Sequence, residues 1–162
     1  MNFDNGNLSV EVARVKIESW CAYQDRCTFE VVNKLTSFGL DESQISALII
    51  HLTETQFLNE LRFTESFISG KIRIKKWGKI KIRMALHQKK IPRELISACL
   101  LRCDAELYWD NLIHLTEKKD GQKFAKDNEM SHYKRVFMYL SSKGYESDLI
   151  QDAINLIKKS KS

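Results

Sequence analysis

One proline and six glycines occur in 162 residues. Punctuation this sparse leaves long stretches uninterrupted and suits a chain that is nearly all helix. Apolar runs are short as well. Stretches such as Ala47 to Ile50 fall far below the roughly 20 residues that a membrane span requires. Met1 to Gly6 has neither a basic lead nor an apolar core, so no secretion signal is read there and the cytoplasm is the expected location. Cysteine is present without a metal pattern: Cys21 and Cys27 are six apart, and Cys99 and Cys103 are one helical turn apart. No Cys-x2-Cys knuckle occurs, and no histidine follows a cysteine pair at zinc-ligand spacing. Reduced thiols are expected, with Cys99 packed as a small apolar residue beside Ile96 and Leu100. The glycines are isolated, which excludes Gly-rich phosphate loops, dinucleotide fingerprints and nucleophile elbows. His51, His87, His114 and His132 are scattered through separate amphipathic runs and read as surface or junction residues. Tyr108, Trp109 and Asp110 form a conspicuous cluster whose helical spacing favours a core edge. These absences predict a protein that is not an enzyme, with no cofactor and no metal.

What the chain does have is one pattern written three times. Leu35-x3-Gly39-x5-Ile45 recurs as Leu86-x3-Lys90-x5-Ile96 and again as Leu140-x3-Gly144-x5-Ile150, with starts 51 and 54 residues apart. Each copy closes one amphipathic run on a leucine, turns, and opens the next on an isoleucine. A unit of this size cannot bury its apolar face alone and must stack on its neighbours. The reading is all-α: three tandem three-helix repeats over 9–56, 59–101 and 104–159, forming an elongated, curved array. Such arrays mostly bind extended partners, which again favours binding over catalysis.

Local signals fill in the units. Ala13, Ile17 and Trp20 share one face of the opening helix, and Val31 and Leu35 recur at i, i+4 in the second. Asp41 caps the third, with Gln44 three residues on. In the central unit Phe63, Phe67 and Ile74 line one side of a helix while Leu61, Ile68 and Ile72 line the other. A helix apolar on both sides is expected to be covered on both sides. Pro92 suits the first turn of the helix after Ile91. Gly144 suits the end of the second helix of the third unit, after a polar loop from Asp120 to Asn128.

Charge is unevenly spread. Between Ile68 and Arg93 stand ten cations (Lys71, Arg73, Lys75, Lys76, Lys79, Lys81, Arg83, Lys89, Lys90, Arg93) and no acid. The chain as a whole has 26 basic and 21 acidic residues, so without this segment its net charge of +5 becomes −5. On a helix from Gly78 to Lys90, Lys79, Arg83 and Lys90 would form one stripe. A stripe of this kind is an anion-binding surface, for phosphates or for an acidic protein groove. The plain alternative is a solvated lysine-rich face, and the absence of any acid weighs against it. Trp77 fits either packing at the helix junction or contact with a partner. The face Arg62, Ser66, Ser69 and Arg73 could extend the patch, or Arg62 could pair with Glu65 or Glu60.

These residues also carry a family resemblance. Arg62-Phe63-x-Glu65-Ser66-Phe67-Ile68, then Lys76-Trp77-Gly78-x2-Lys81-Ile82-Arg83-x2-Leu86-x2-Lys89-x-Ile91, resembles the middle segment of the RecX family of recombinase regulators. Leu140-x2-Lys143-Gly144-Tyr145, followed by Ile150-x2-Ala153-Ile154, is similar to the C-terminal repeat of that family. The chain departs from the pattern at Gln24-Asp25-Arg26-Cys27, at Met84-Ala85, and at Lys90, where the family usually has glycine.

The resemblance implies a cytoplasmic monomer that binds the RecA filament on single-stranded DNA. It implies inhibition of strand exchange, ATPase and coprotease activity in DNA repair and the SOS response, and no membrane partner. The contact residues it points to are Arg73, Lys75, Lys76, Trp77, Lys79, Lys81, Arg83, Lys89, Lys90 and Arg93. Phe63, Phe67, Ile82 and Leu86 are then the packing behind them. A second reading stays open, in which the chain is a helical module that binds nucleic acid directly through its basic central repeat.

Overall fold

A computed structural model describes residues 8–122 and 128–161. Among these residues there are nine α-helices and no strand. They are α1 (Val10–Tyr23), α2 (Thr28–Ser37), α3 (Glu42–Glu54), α4 (Glu60–Arg73), α5 (Lys79–Gln88), α6 (Arg93–Leu101), α7 (Ala105–Asp120), α8 (Glu129–Lys143) and α9 (Ser147–Ser160). The residues read as lacking a secretion signal, and most of the loop expected between Asp120 and Asn128, lie outside the described residues.

The helices begin where short polar side chains can satisfy free N–H groups. Ser9, Asp41, Asn59, Asp104 and Asn128 each accept from the N–H three residues on. Asp41 and Gln44 reciprocate as a capping box. Pro92 stands one place earlier than its sequence suggested, as the N-cap of α6. The second helix of each group of three ends alike. Gly39, Lys90 and Gly144 all take positive φ, at 81°, 60° and 91°. The repeated sequence punctuation is therefore a repeated backbone device, a left-handed residue that closes the helix.

The helices pack in threes: α1, α2 and α3 touch one another, as do α4, α5 and α6, and α7, α8 and α9. Two cores result. Ala13, Ile17, Val31, Leu35, Leu48, Leu52 and Leu58 form one within the first three helices. Ile68, Ile82, Leu86, Ile96, Leu112, Leu140 and Ile150 belong to a second, continuous through the remaining six. Cys99 lies in that second core as expected, and Trp20 is half-buried against the first. The accessible surface of 10514 Å² exceeds by about a quarter the ~8,300 Å² of a compact monomer of this mass.

α4 is not covered on both sides. Phe63, Ile68 and Ile72 are buried, but Phe67 is only partly so, Leu61 is 43% exposed and Ile74 is 77% exposed. Ile74 is the C-cap of α4 and keeps helical dihedrals, its N–H bonded to Gly70 O, so its exposure reflects what packs against this face and not a break in the helix. A second apolar side here is a surface, not a core.

Between neighbouring groups, the second helices meet end to end. The N–H of Gly78 donates to Lys143 O at 2.8 Å and that of Ile80 to Gly144 O at 3.0 Å. Free donors at the start of α5 thus satisfy free acceptors at the end of α8, bringing the positive end of one helix to the negative end of the other. The first joint repeats this arrangement more loosely. Cys27 Sγ lies 3.9 Å from Lys89 O, and the Thr28 N–H donates to Glu60 Oε1 at 2.7 Å. Ion pairs bind the rest: Arg62 Nε to Asp25 at 2.7 Å and Lys89 Nζ to Glu30 at 2.6 Å.

Candidate functional site

The acid-free segment runs from the second half of α4 through α5 to the start of α6, so its side chains share the surface of the central three helices. Arg73, Lys75, Arg83, Lys90 and Arg93 are exposed. The Arg73 Nε donates to Ser69 on the preceding turn of α4. Lys76, Lys79, Lys81, Lys89 and Trp77 are half-buried and are fixed by specific partners. Lys76 takes a positive φ of 51° and its ammonium donates to Asn111 Oδ1 at 2.9 Å. Lys79 lies with its ammonium 4.9 Å from the Tyr108 ring, and Lys81 donates to Ser142 O at 3.3 Å. Among the described residues, Lys89 is the one candidate cation in an ion pair. The others keep their charge uncompensated, which leaves a strongly positive surface potential.

The expected stripe of Lys79, Arg83 and Lys90 is not one helical line. α5 ends at Gln88, and Lys90 stands beyond it in the left-handed turn, so helical angles do not extend to it. Arg62 pairs with neither Glu60 nor Glu65. It reaches Asp25 across the first joint, Ser66 donates to the same carboxylate, and Glu65 pairs with Arg102. The Arg62–Ser66 face therefore serves the joint. Trp77 packs against the core edge from the turn after α4, its N–H bonded to Lys71 O, and holds the Lys71 and Lys81 ammonium groups 4.6 and 4.8 Å from its ring centre.

Residues that sequence reasoning set aside hold this surface in place. The buried Tyr108 hydroxyl accepts from the Lys79 N–H at 2.8 Å and donates to Glu146 at 2.7 Å. Burial, reinforced by Glu146, pushes its ionisation far above the ordinary tyrosine value, so it stays protonated and can keep donating. Tyr145, its ring 5.1 Å away, donates to Lys76 O, and Asn111 bridges Lys76 Nζ to Ile72 O. The aromatic clustering of Tyr108 was a visible signal, but its polar role depends on partners 29 and 38 residues distant in sequence.

His51 bonds Glu18 and His132 bonds Asp120, at opposite ends of the chain. No group of three or more potential metal ligands occurs among the described residues. Burial pushes the Cys27 thiol up to about 11, which leaves it protonated and unreactive at neutral pH. No helix among the described residues is long and apolar enough to cross a membrane.

The central segment is also where the chain meets known proteins. Residues 59–100 match the family model described as RecX, second three-helix domain. The regulatory protein RecX of Clostridium beijerinckii is 33% identical over 131 residues, covering 79% of this chain and 60% of that one. By these matches the chain resembles the RecX family. The Clostridium botulinum Eklund 17B protein of the same name is 29% identical over 126 residues, or 77% of this chain and 58% of the relative. The chain thus spans less than two thirds of the length of these curated relatives. In three dimensions it resembles the crystal structure of RecX from Lactobacillus salivarius, with a TM-score of 0.82 at 22% identity, covering 92% of this chain and 96% of that one. A second crystal structure of regulatory protein RecX superposes with a TM-score of 0.81 at 20% identity, over 90% of this chain and 73% of that one. The three-helix repeat fold is common to all three.

Proposed function

We propose that this chain is a non-enzymatic regulator of RecA, which binds in the groove of the RecA filament on single-stranded DNA and inhibits strand exchange, ATP hydrolysis and coprotease activity. One observation carries the reading: the stretch that matches the family model is the same stretch whose exposed face holds cations without carboxylate partners. A filament of protein and DNA offers a phosphate-rich, extended groove, and tandem units present an extended surface to it. Arg73, Lys75, Arg83, Lys90 and Arg93 are the contacts free to meet it; Lys76, Lys79, Lys81, Lys89 and Trp77 contribute from fixed positions. The protein acts as a cytoplasmic monomer, laid over successive RecA protomers as units 9–56, 59–101 and 104–159. The test is ATP hydrolysis by RecA on single-stranded DNA, with and without this protein. Inhibition at substoichiometric to stoichiometric protein is the expected result, and an unchanged rate at excess protein rejects the proposal.

A further inference from the structure

Cations and aromatic rings alternate along one face of the central unit. The Lys89 ammonium lies 5.9 Å from both the Phe63 and Phe67 ring centres. Lys71 follows, 5.0 Å from Phe67 and 4.6 Å from Trp77. Lys81 sits 4.8 Å from Trp77 and reaches the Ser142 carbonyl at the far end. The ladder therefore runs from the first joint to the second. An open cleft of about 290 Å³ lies along its first half, lined by Phe63, Phe67, Lys71, Lys75 and Lys89 among others. The acid in that cleft is Glu30, already paired with Lys89.

A ring fixes an ammonium differently from a carboxylate. It holds the group by its quadrupole while leaving the full unit charge uncancelled. Lys71 and Lys81 are thus positioned in advance yet still available to an anion. We propose that this ladder is a track for a single strand of nucleic acid, with phosphates taken by Lys71, Lys75 and Lys81 and a base stacked on Trp77. An arriving phosphate draws an ammonium off the indole, and the face it uncovers receives the base. A positively charged groove interleaved with aromatic faces suits unpaired bases, since every base has a π-face. An acidic polypeptide would use the charges but not the rings, and a duplex keeps its bases stacked on one another. The inference deepens the proposed function, because the strand is the one the filament would carry, but it concerns contacts that exist without the recombinase.

The test is titration of the protein alone, at low salt, with an oligothymidylate of about 16 nucleotides, read by tryptophan fluorescence. The parent should be quenched on binding. Trp77→Phe should still bind and lose most of the quenching, since Trp20 and Trp109 lie elsewhere in the fold. The double change Lys71→Gln, Lys81→Gln should make the log-affinity against log-salt slope shallower by about 1.4, the equivalent of two phosphate contacts to a single strand. Far-ultraviolet circular dichroism checks both variants. Should Trp77→Phe unfold, the salt slope of the lysine variant decides. Three results would overturn the track: no binding at low salt, undiminished quenching in a folded Trp77→Phe, or a salt slope unmoved by the lysine changes. Equal binding and quenching by polyglutamate would assign the face to acidic polypeptide instead. None of these samples contains RecA, so loss of the strand with inhibition intact sinks the track alone. A bound strand without inhibition sinks the proposed regulatory role alone.

Discussion

A β-carbon on Gly78 would lie 2.1 Å from the carbonyl carbon of Gly144, and one on Gly144 would lie 2.3 Å from the β-carbon of Lys81. Two glycines thus permit the end-to-end contact of α8 and α5, and Gly144 also needs its φ of 91° to close α8. Gly78→Ala forces backbone apart in a joint where main-chain bonds carry the contact, with no flexible side chain to yield. Denaturant unfolding should show a loss of about 3 kcal/mol or more. Parent-like stability would show that the two helix ends do not meet in solution.

The positions equivalent to this pair at the first joint are Cys27 and Lys90, both with side chains. Lys90 pays for this with a φ of 60°, a conformation that costs an L-residue roughly 1–2 kcal/mol. Lys90→Gly should therefore raise stability, by about 1 kcal/mol at most, because glycine also gains freedom in the unfolded chain. Chemical denaturation measures it. A destabilised variant would mean that the lysine side chain contributes contacts that outweigh the strain.

The same joint should respond to acid. Burial pushes the Glu30 carboxyl up, but hydrogen bonds from the Lys89 ammonium and the Cys27 N–H outweigh it and hold the group below its ordinary 4.5. A carboxyl with a depressed folded value stabilises above its unfolded value and loses that contribution as pH falls through the folded one. Stability attributable to Glu30 is therefore fully present above pH 4.5 and disappears below it. In Glu30→Gln, neutral-pH stability should drop and the acid-side fall should flatten, as followed by melting temperature against pH. Parallel curves for parent and variant would deny the pair a role.

How far all this was legible follows from distance along the chain. Helix ends rest on residues three or four apart, so Asp41 with Gln44, and the triple recurrence of Gly39, Lys90 and Gly144, could be read directly. Core positions such as Ala13, Ile17, Leu35 and Ile150 followed from periodicity, because each lies on the one apolar face of its helix. Periodicity fails where it must say what covers a face. Phe67, Leu61 and Ile74 are as apolar as Ile68, and only the placement of neighbouring helices leaves them partly or largely exposed. Joints are the least legible, since Arg62 finds Asp25 37 residues away. Local charge alternation pointed to Glu60 and Glu65 instead. The basic segment itself was plain in composition, but not which of its cations are fixed.

That division between fixed and free cations sharpens the mutational test of the regulatory role. Arg73, Lys75 and Arg83 are exposed and take no part in either joint, so reversing them should cost little stability. Changing all three to glutamate shifts the face by six charge units. If the face meets the filament, the concentration giving half-inhibition of RecA should rise by roughly tenfold or more, with the association rate falling most. Inhibition by the parent should also weaken with added salt, since exposed charges are screened beyond about 10 Å at 0.1 M. The matched control reverses Lys118, Lys134 and Lys159 in the last three helices, which are likewise exposed, and should shift the half-inhibition point much less. Circular dichroism confirms that both triple variants stay folded. A folded central variant that inhibits as well as the parent would make the basic face a solvated surface and move the binding contacts to another part of the array.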